Sequence, residues 1–223
     1  TAVGHSAGAG VTTGVQNTLI GGEAGDALTD ADFNVAVGYA ALSSDTLGSR
    51  NIAIGRNVLG SQNFTTATNA NNTAVGYETG RSTTTGIDNT LYGSNAGYAI
   101  TDADENTAMG RSALATNVLG GRNTAIGYNA LNQANPATAV VTHNTAVGWT
   151  AGLRVGTGIS NTLIGSEAGD ALTNTNDNTA VGRLALSGDT LGTKSTAIGR
   201  GALKVQNFTT ATDSNNTAVG YSA

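Results

Sequence analysis

The chain repeats itself, and the repeat leaves few folds open. A motif Asn-Thr-Ala-(Val/Ile)-Gly-x-x-Ala recurs along 223 residues, marked by Gly4, Gly21, Gly38, Gly55, Gly76, Gly93, Gly110, Gly127, Gly148, Gly165, Gly182, Gly199 and Gly220. The spacings run 17, 17, 17 and 21, and then the same series twice more. A 72-residue higher unit therefore occurs three times, at 1–72, 73–144 and 145–216, with 217–223 opening a fourth. We read 1–223 as one continuous repeat array. The chain opens inside a repeat without a methionine, which suggests a segment of a longer array. A 17-residue period is too short for helical repeats, which need about 33 residues or more. A β-branched run closed by Asn and Gly reads as a strand between turns.

The predicted fold is all-β: a parallel β-solenoid, or β-roll, of 17- and 21-residue coils. Each coil is expected to hold roughly two five-residue strands and two turns, rising about 4.8 Å per coil. Twelve full coils would make a rod on the order of 58 Å long. The four extra residues of every fourth coil are predicted to bulge as loops near 63–71, 135–143 and 207–215. Phe64, Pro136 and Phe208 mark those loops as packed or partner-facing.

Each column of the repeat has a physical reading. The motif glycine points to a backbone angle or a close approach that a Cβ forbids. The Asn column (Ser195 once) tolerates left-handed turns, and stacked amides can bond along a ladder. The next column is Thr except for Val35 and Ile52, so β-branched shape matters there more than the hydroxyl. Then comes Ala, or Leu19, Leu91 and Leu163 in the second coil of each unit. Along the strand these side chains alternate between faces. Ala/Leu is assigned to the interior of the roll. Thr and Val/Ile face the other way, yet they too are apolar or β-branched. A strand apolar on both faces is normally covered on both. The second cover is expected to be another copy of the chain, through Val3, Ile20, Val37, Ile54, Val75, Ile126, Val147, Ile164, Val181, Ile198 and Val219.

Composition excludes most other classes. There is no cysteine, hence no disulfide framework, thiolate metal site or cysteine nucleophile. Ten Lys and Arg are spread thinly against fifteen Asp and Glu, so a nucleic-acid footprint is missing. No apolar run is long enough to span a membrane. His5 and His143 fall at unrelated phases of the repeat, which gives a two-histidine metal site or a Ser-His-Asp triad nothing to stand on. Neither an enzyme nor a cofactor is expected. The second coil of each unit carries acids: Asp26, Asp30 and Asp32, then Asp102, Asp104 and Glu105, then Asp170 and Asp177. Oxygen-rich clusters invite Ca²⁺, but the glycine-rich solenoid calcium motif is absent and Asn174 and Asn176 enter the third unit, so solvated turn acids are expected. The Asn-x-Thr triplets at Asn63 and Asn207 are read as coincidental.

The stretches Asn-Thr-Ala-Ile-Gly-Tyr-Asn-Ala-Leu (Asn123 to Leu131) and Asn-Thr-Ala-Val-Gly-Trp-Thr-Ala-Gly (Asn144 to Gly152) resemble repeats of bacteriophage tail-fibre proteins. They are also similar to the head repeats of trimeric autotransporter adhesins. That resemblance implies a left-handed parallel β-roll in a homotrimer, outside the cell, on a virion tail fibre or a bacterial surface.

One column stands out as a candidate surface. The residue after each motif glycine reads His5, Gly22, Tyr39, Arg56, Tyr77, Ser94, Arg111, Tyr128, Trp149, Ser166, Arg183, Arg200, Tyr221. Adjacent coils should set Tyr39 beside Arg56, Arg111 beside Tyr128, and Trp149 one coil beyond. Cross-coil stacking and cation–π pairing explain such a column without any ligand. The functional alternative is an aromatic strip for a host cell-surface glycan or protein. The expected function is a structural segment, shaft or head, of an extracellular trimeric fibre. The alternatives are an adhesin head that grips a host surface and, more remotely, an ice-binding solenoid built on the Thr column.

Overall fold

A computed structural model describes residues 1–223. The molecule is all-β and contains no helix. It is a parallel β-solenoid of about thirteen turns. Its contacts divide into two compact units, Thr1–Asn106 and Thr107–Ala223. In the first unit the motif strands are Ala2–Val3, Thr18–Ile20, Val35–Val37, Ile52–Ile54, Thr73–Val75 and Thr90–Tyr92. In the second they are Thr107–Met109, Thr124–Ile126, Thr145–Val147, Thr162–Ile164, Thr179–Val181, Thr196–Ile198 and Thr217–Val219. Within each unit every strand pairs in parallel with the next coil, in strict register. Thr145 faces Thr162, Ala146 faces Leu163, and Val147 faces Ile164.

The coils are built differently from the expected pair of five-residue strands. Each carries one three-residue strand, and the rest is turn. A second strand of two residues appears only where a 21-residue coil meets its predecessor: Gly48–Ser49 with Thr68–Asn69, Gly120–Gly121 with Val140–Val141, and Gly192–Thr193 with Thr212–Asp213. Strands are short because each coil turns at three left-handed positions. These are the residue before the Asn column (Arg50, φ 62°), the second after the motif glycine (Asn57, φ 53°) and the fourth (Gly25, φ 55°, or Leu42, φ 55°). The motif glycine adds a bend that only glycine adopts freely. Gly38 has φ 133°, and a Cβ there would run into the carbonyl of Gly55 in the next coil.

The interior holds the Ala/Leu column, with Ala36, Ala53, Ala74, Leu91, Ala125 and Leu163 all buried. The fourth residue after the motif glycine compensates for it in volume. That residue is Gly in the first two coils of each unit and Leu in the last two. The Leu163 methyls fill the space over Gly152 and Gly169; a Cβ on either glycine would lie 2.7 Å from one of them. Where the strand carries only Ala, the buried Leu114, Leu131 and Leu186 fill the interior from the turn.

The buried Asn column forms the ladder its amides allow. Asn161 Oδ1 accepts the Asn178 backbone N–H at 3.1 Å, and Asn161 Nδ2 donates to Asn144 Oδ1 at 3.0 Å and to the Thr175 carbonyl at 2.7 Å. A second polar network supports the long coils. Buried Asp45 accepts from Gln62 Nε2 (2.6 Å), the Gly48 N–H (3.1 Å) and the Phe64 N–H (3.2 Å), and Asn72 Nδ2 donates to Gln62 Oε1 (2.9 Å). Asp189, Gln206 and Phe208 repeat the arrangement in the third 72-residue unit. In the second unit Pro136 stands where Phe64 stands and has no N–H to donate. There Asn117 replaces the aspartate and bonds Gly120 through both its oxygen and its nitrogen.

Candidate functional site

Two columns face outward from the turn-and-strand corner of each coil. The first is the aliphatic stripe. Val3, Ile20, Ile54, Ile126, Ile164, Ile198 and Val219 are exposed, and Val37, Val75, Val147 and Val181 are half-buried. Tyr92 and Met109, in the same column, are exposed as well. Alternation within the three-residue strand produces the stripe: the central residue turns inward, so its two neighbours turn outward.

The second column follows the motif glycine. Arg56 lies over Tyr39 (6.0 Å) and over Tyr77 (5.6 Å), donating to the Tyr77 hydroxyl at 3.0 Å and pairing with Glu78 at 3.4 Å. Arg111 lies 5.8 Å from the Tyr128 ring. Tyr128 and Trp149 stack with centroids 6.4 Å apart and planes 11° apart. Arg200 lies 5.3 Å from the Tyr221 ring and donates to its hydroxyl at 2.9 Å. His5 is exposed, its Nδ1 within 3.2 Å of Ser6 Oγ, and Arg183 is exposed beside the break at Ser166. The ring faces of this column are thus largely engaged with one another. The Tyr39 hydroxyl is held protonated above the usual tyrosine range, chiefly by its hydrogen bond to Glu23. A further pair of the same kind, Arg81 over Tyr98 at 5.9 Å, was not picked out by sequence. Its signal was available in the fifth residue after the glycine, read coil by coil.

Four of the second-coil acids, Asp30, Asp32, Asp102 and Asp104, act as hydrogen-bond acceptors for the coil before. Asp30 accepts from the Thr12 and Thr13 hydroxyls, and Asp102 from those of Thr84 and Thr85. Those hydroxyls hold both carboxyls below the ordinary aspartate value. Asp32 and Asp104 accept the Val15 and Ile87 N–H groups at 2.7 and 2.8 Å. In the third unit Asn176 accepts the Ile159 N–H at 2.9 Å. An amide oxygen serves as well as a carboxylate there, so the position needs an acceptor and not a charge. Burial pushes Asp104 and Asp170 up.

No protein-family model, curated protein or solved structure matches the chain.

Proposed function

We propose that the chain is a structural segment, shaft or head, of an extracellular trimeric fibre of the bacteriophage tail-fibre type. In this reading three copies close around their shared aliphatic stripes. The observation that carries it is the stripe itself: one outward Val or Ile in nearly every coil, unpartnered within the chain. A stripe with the period of a coil is matched along its length only by a surface of the same period, and another copy of this chain supplies one. The three-fold count and the extracellular setting rest on the resemblance to tail-fibre and adhesin repeats. The mechanical role rests on regularity, since repeated columns suit a stiff spacer and form no singular cleft.

Val37→Asp, Val75→Asp and Val181→Asp combined place charges on the stripe without touching the interior. Sedimentation equilibrium should give three times the 22.1 kDa chain mass for the parent protein and a lower assembly mass for the triple variant. A folded parent of single-chain mass defeats the proposal, as does an unchanged assembly mass in the variant. Met109 is the chain's one methionine and sits in the stripe, so its oxidation by peroxide should be slower in the parent than in the variant.

A further inference from the structure

The ring column of the compact unit Thr107–Ala223 has one rung missing. Its order is Arg111, Tyr128, Trp149, Ser166, Arg183, Arg200, Tyr221, one residue per coil. Three consecutive pairs of planar rungs, Arg111–Tyr128, Tyr128–Trp149 and Arg200–Tyr221, lie 5.3 to 6.4 Å apart. At Ser166 the planar group is replaced by a hydroxymethyl, which leaves Trp149 and Arg183 two coil rises apart, about 10 Å. That gap admits one ring and not two.

Both walls of the gap are available. Tyr128 and Trp149 stack nearly parallel, so Tyr128 lies against one indole face, and the Ser166 coil follows the Trp149 coil in the array. Trp149 is 51% exposed. Arg183 is exposed; its carbonyl accepts the Gly201 N–H at 2.9 Å, while its guanidinium has no hydrogen bond, ion pair or ring contact within the chain. The first unit shows the contrast. At Gly22 the following rung leans into the space: the Tyr39 ring comes within 3.4 Å of where a Gly22 Cβ would be. Arg183 has no ring to lean with.

The chemistry of a fitting guest is already written in the column. Tyr128 sits between a guanidinium (Arg111, 5.8 Å) and the indole of Trp149 (6.4 Å). The gap at Ser166 offers the same two neighbours in the opposite order. We infer that the slot between Trp149 and Arg183, floored by Ser166, binds a single electron-rich aromatic ring of the tyrosine type. Such a ring stacks on the indole face away from Tyr128 and accepts the guanidinium over its other face. The inference is independent of the fibre reading, because it uses one chain only.

The chain has one tryptophan, so the single indole N–H cross-peak in an amide correlation spectrum reports on this slot alone. Titration with p-cresol and with acetyl-Gly-Tyr-Gly-amide should each move that peak saturably, with half-saturation in the millimolar range set by two weak ring contacts. Equal affinities assign the slot to free aromatic molecules, and a tighter tripeptide assigns it to a tyrosine carried by a protein. Arg183→Ala should weaken the response several-fold. Ser166→Tyr supplies the missing rung and should abolish it, shifting the peak without ligand; tyrosine already occupies this column in other coils, so the variant should keep the parent circular dichroism. Acetyl-Leu-amide and methyl glucopyranoside should leave the peak in place. An equal response to the glucoside, a response that survives Ser166→Tyr, or no response to either aromatic probe overturns the assignment.

Discussion

At the scale of single residues the molecule depends on groups with no alternative partner. Asn161 is buried, and its amide bonds two neighbouring coils. Asn161→Ala leaves a buried N–H and a buried carbonyl unmatched, so chemical denaturation should show about 2–4 kcal/mol of lost stability. Asn161→Ser should lose less, because a hydroxyl keeps a polar group in the column; at the natural Ser195 that hydroxyl is bonded, accepting from Gln206 Nε2 at 3.0 Å and pairing with Ser214. Asp170 illustrates the opposite case. Its Oδ1 is buried without a partner, and burial, with the Glu167 charge second, raises its carboxyl above the ordinary range. A raised folded-state value means that the carboxyl's favourable contribution is complete below the unfolded value of about 3.9 and is lost as pH rises through the folded one. The ionised form is therefore a cost at neutral pH. Asp170→Asn should raise the melting temperature at pH 7, and the gain should vanish in melts run below about pH 4. Asp102 carries the reverse sign: its stabilising contribution is present above about pH 3.9 and fades in stronger acid.

At the scale of the coil, packing is a division of volume between strand and turn. Leu163 occupies the space that Gly169 leaves empty, and Gly169 also holds φ 56°. Leu163→Ala should cost about 2–5 kcal/mol through the cavity it opens. Gly169→Ala should also destabilise, by contact with the methyls of Leu163 and Leu172 and by left-handed strain. The two losses should fall short of adding, because removing the leucine frees the room the alanine needs. A double-mutant cycle on urea-unfolding free energies reads that coupling directly. Full additivity would show that the two positions do not share the space.

At the scale of the whole molecule, each coil bonds mainly to the coils before and after it, as a one-dimensional array does. Damage should therefore stay local. Gly38→Ala forces a Cβ toward the Gly55 carbonyl at a φ that disfavours alanine, a local penalty of about 2 kcal/mol or more. Amide exchange should quicken in the strands Val35–Val37 and Ile52–Ile54 and stay slow in Thr179–Val181 and Thr196–Ile198. A uniform acceleration through all four strands would mean that the array melts as one block.

The sequence by itself determined the architecture. Period, register and the inward Ala/Leu column follow from thirteen glycines at fixed spacing, because a solenoid converts sequence separation directly into contact. The pairing of Arg56 with Tyr39 and of Trp149 with Tyr128 was legible for the same reason. Strand length was not, because the three left-handed turns of each coil fall on residues as different as Arg50, Glu78 and Leu42, and no residue type announces them. The Asp45–Gln62–Asn72 network was hidden too, since its members lie 10 and 17 residues apart and look like ordinary surface polars. Only the folded chain decided which ring faces are engaged: Arg56 lies over Tyr39 and Tyr77, and Tyr128 stacks on Trp149. Ring orientation depends on how each side chain leans on its neighbour, and a repeating sequence records the neighbour but not the lean.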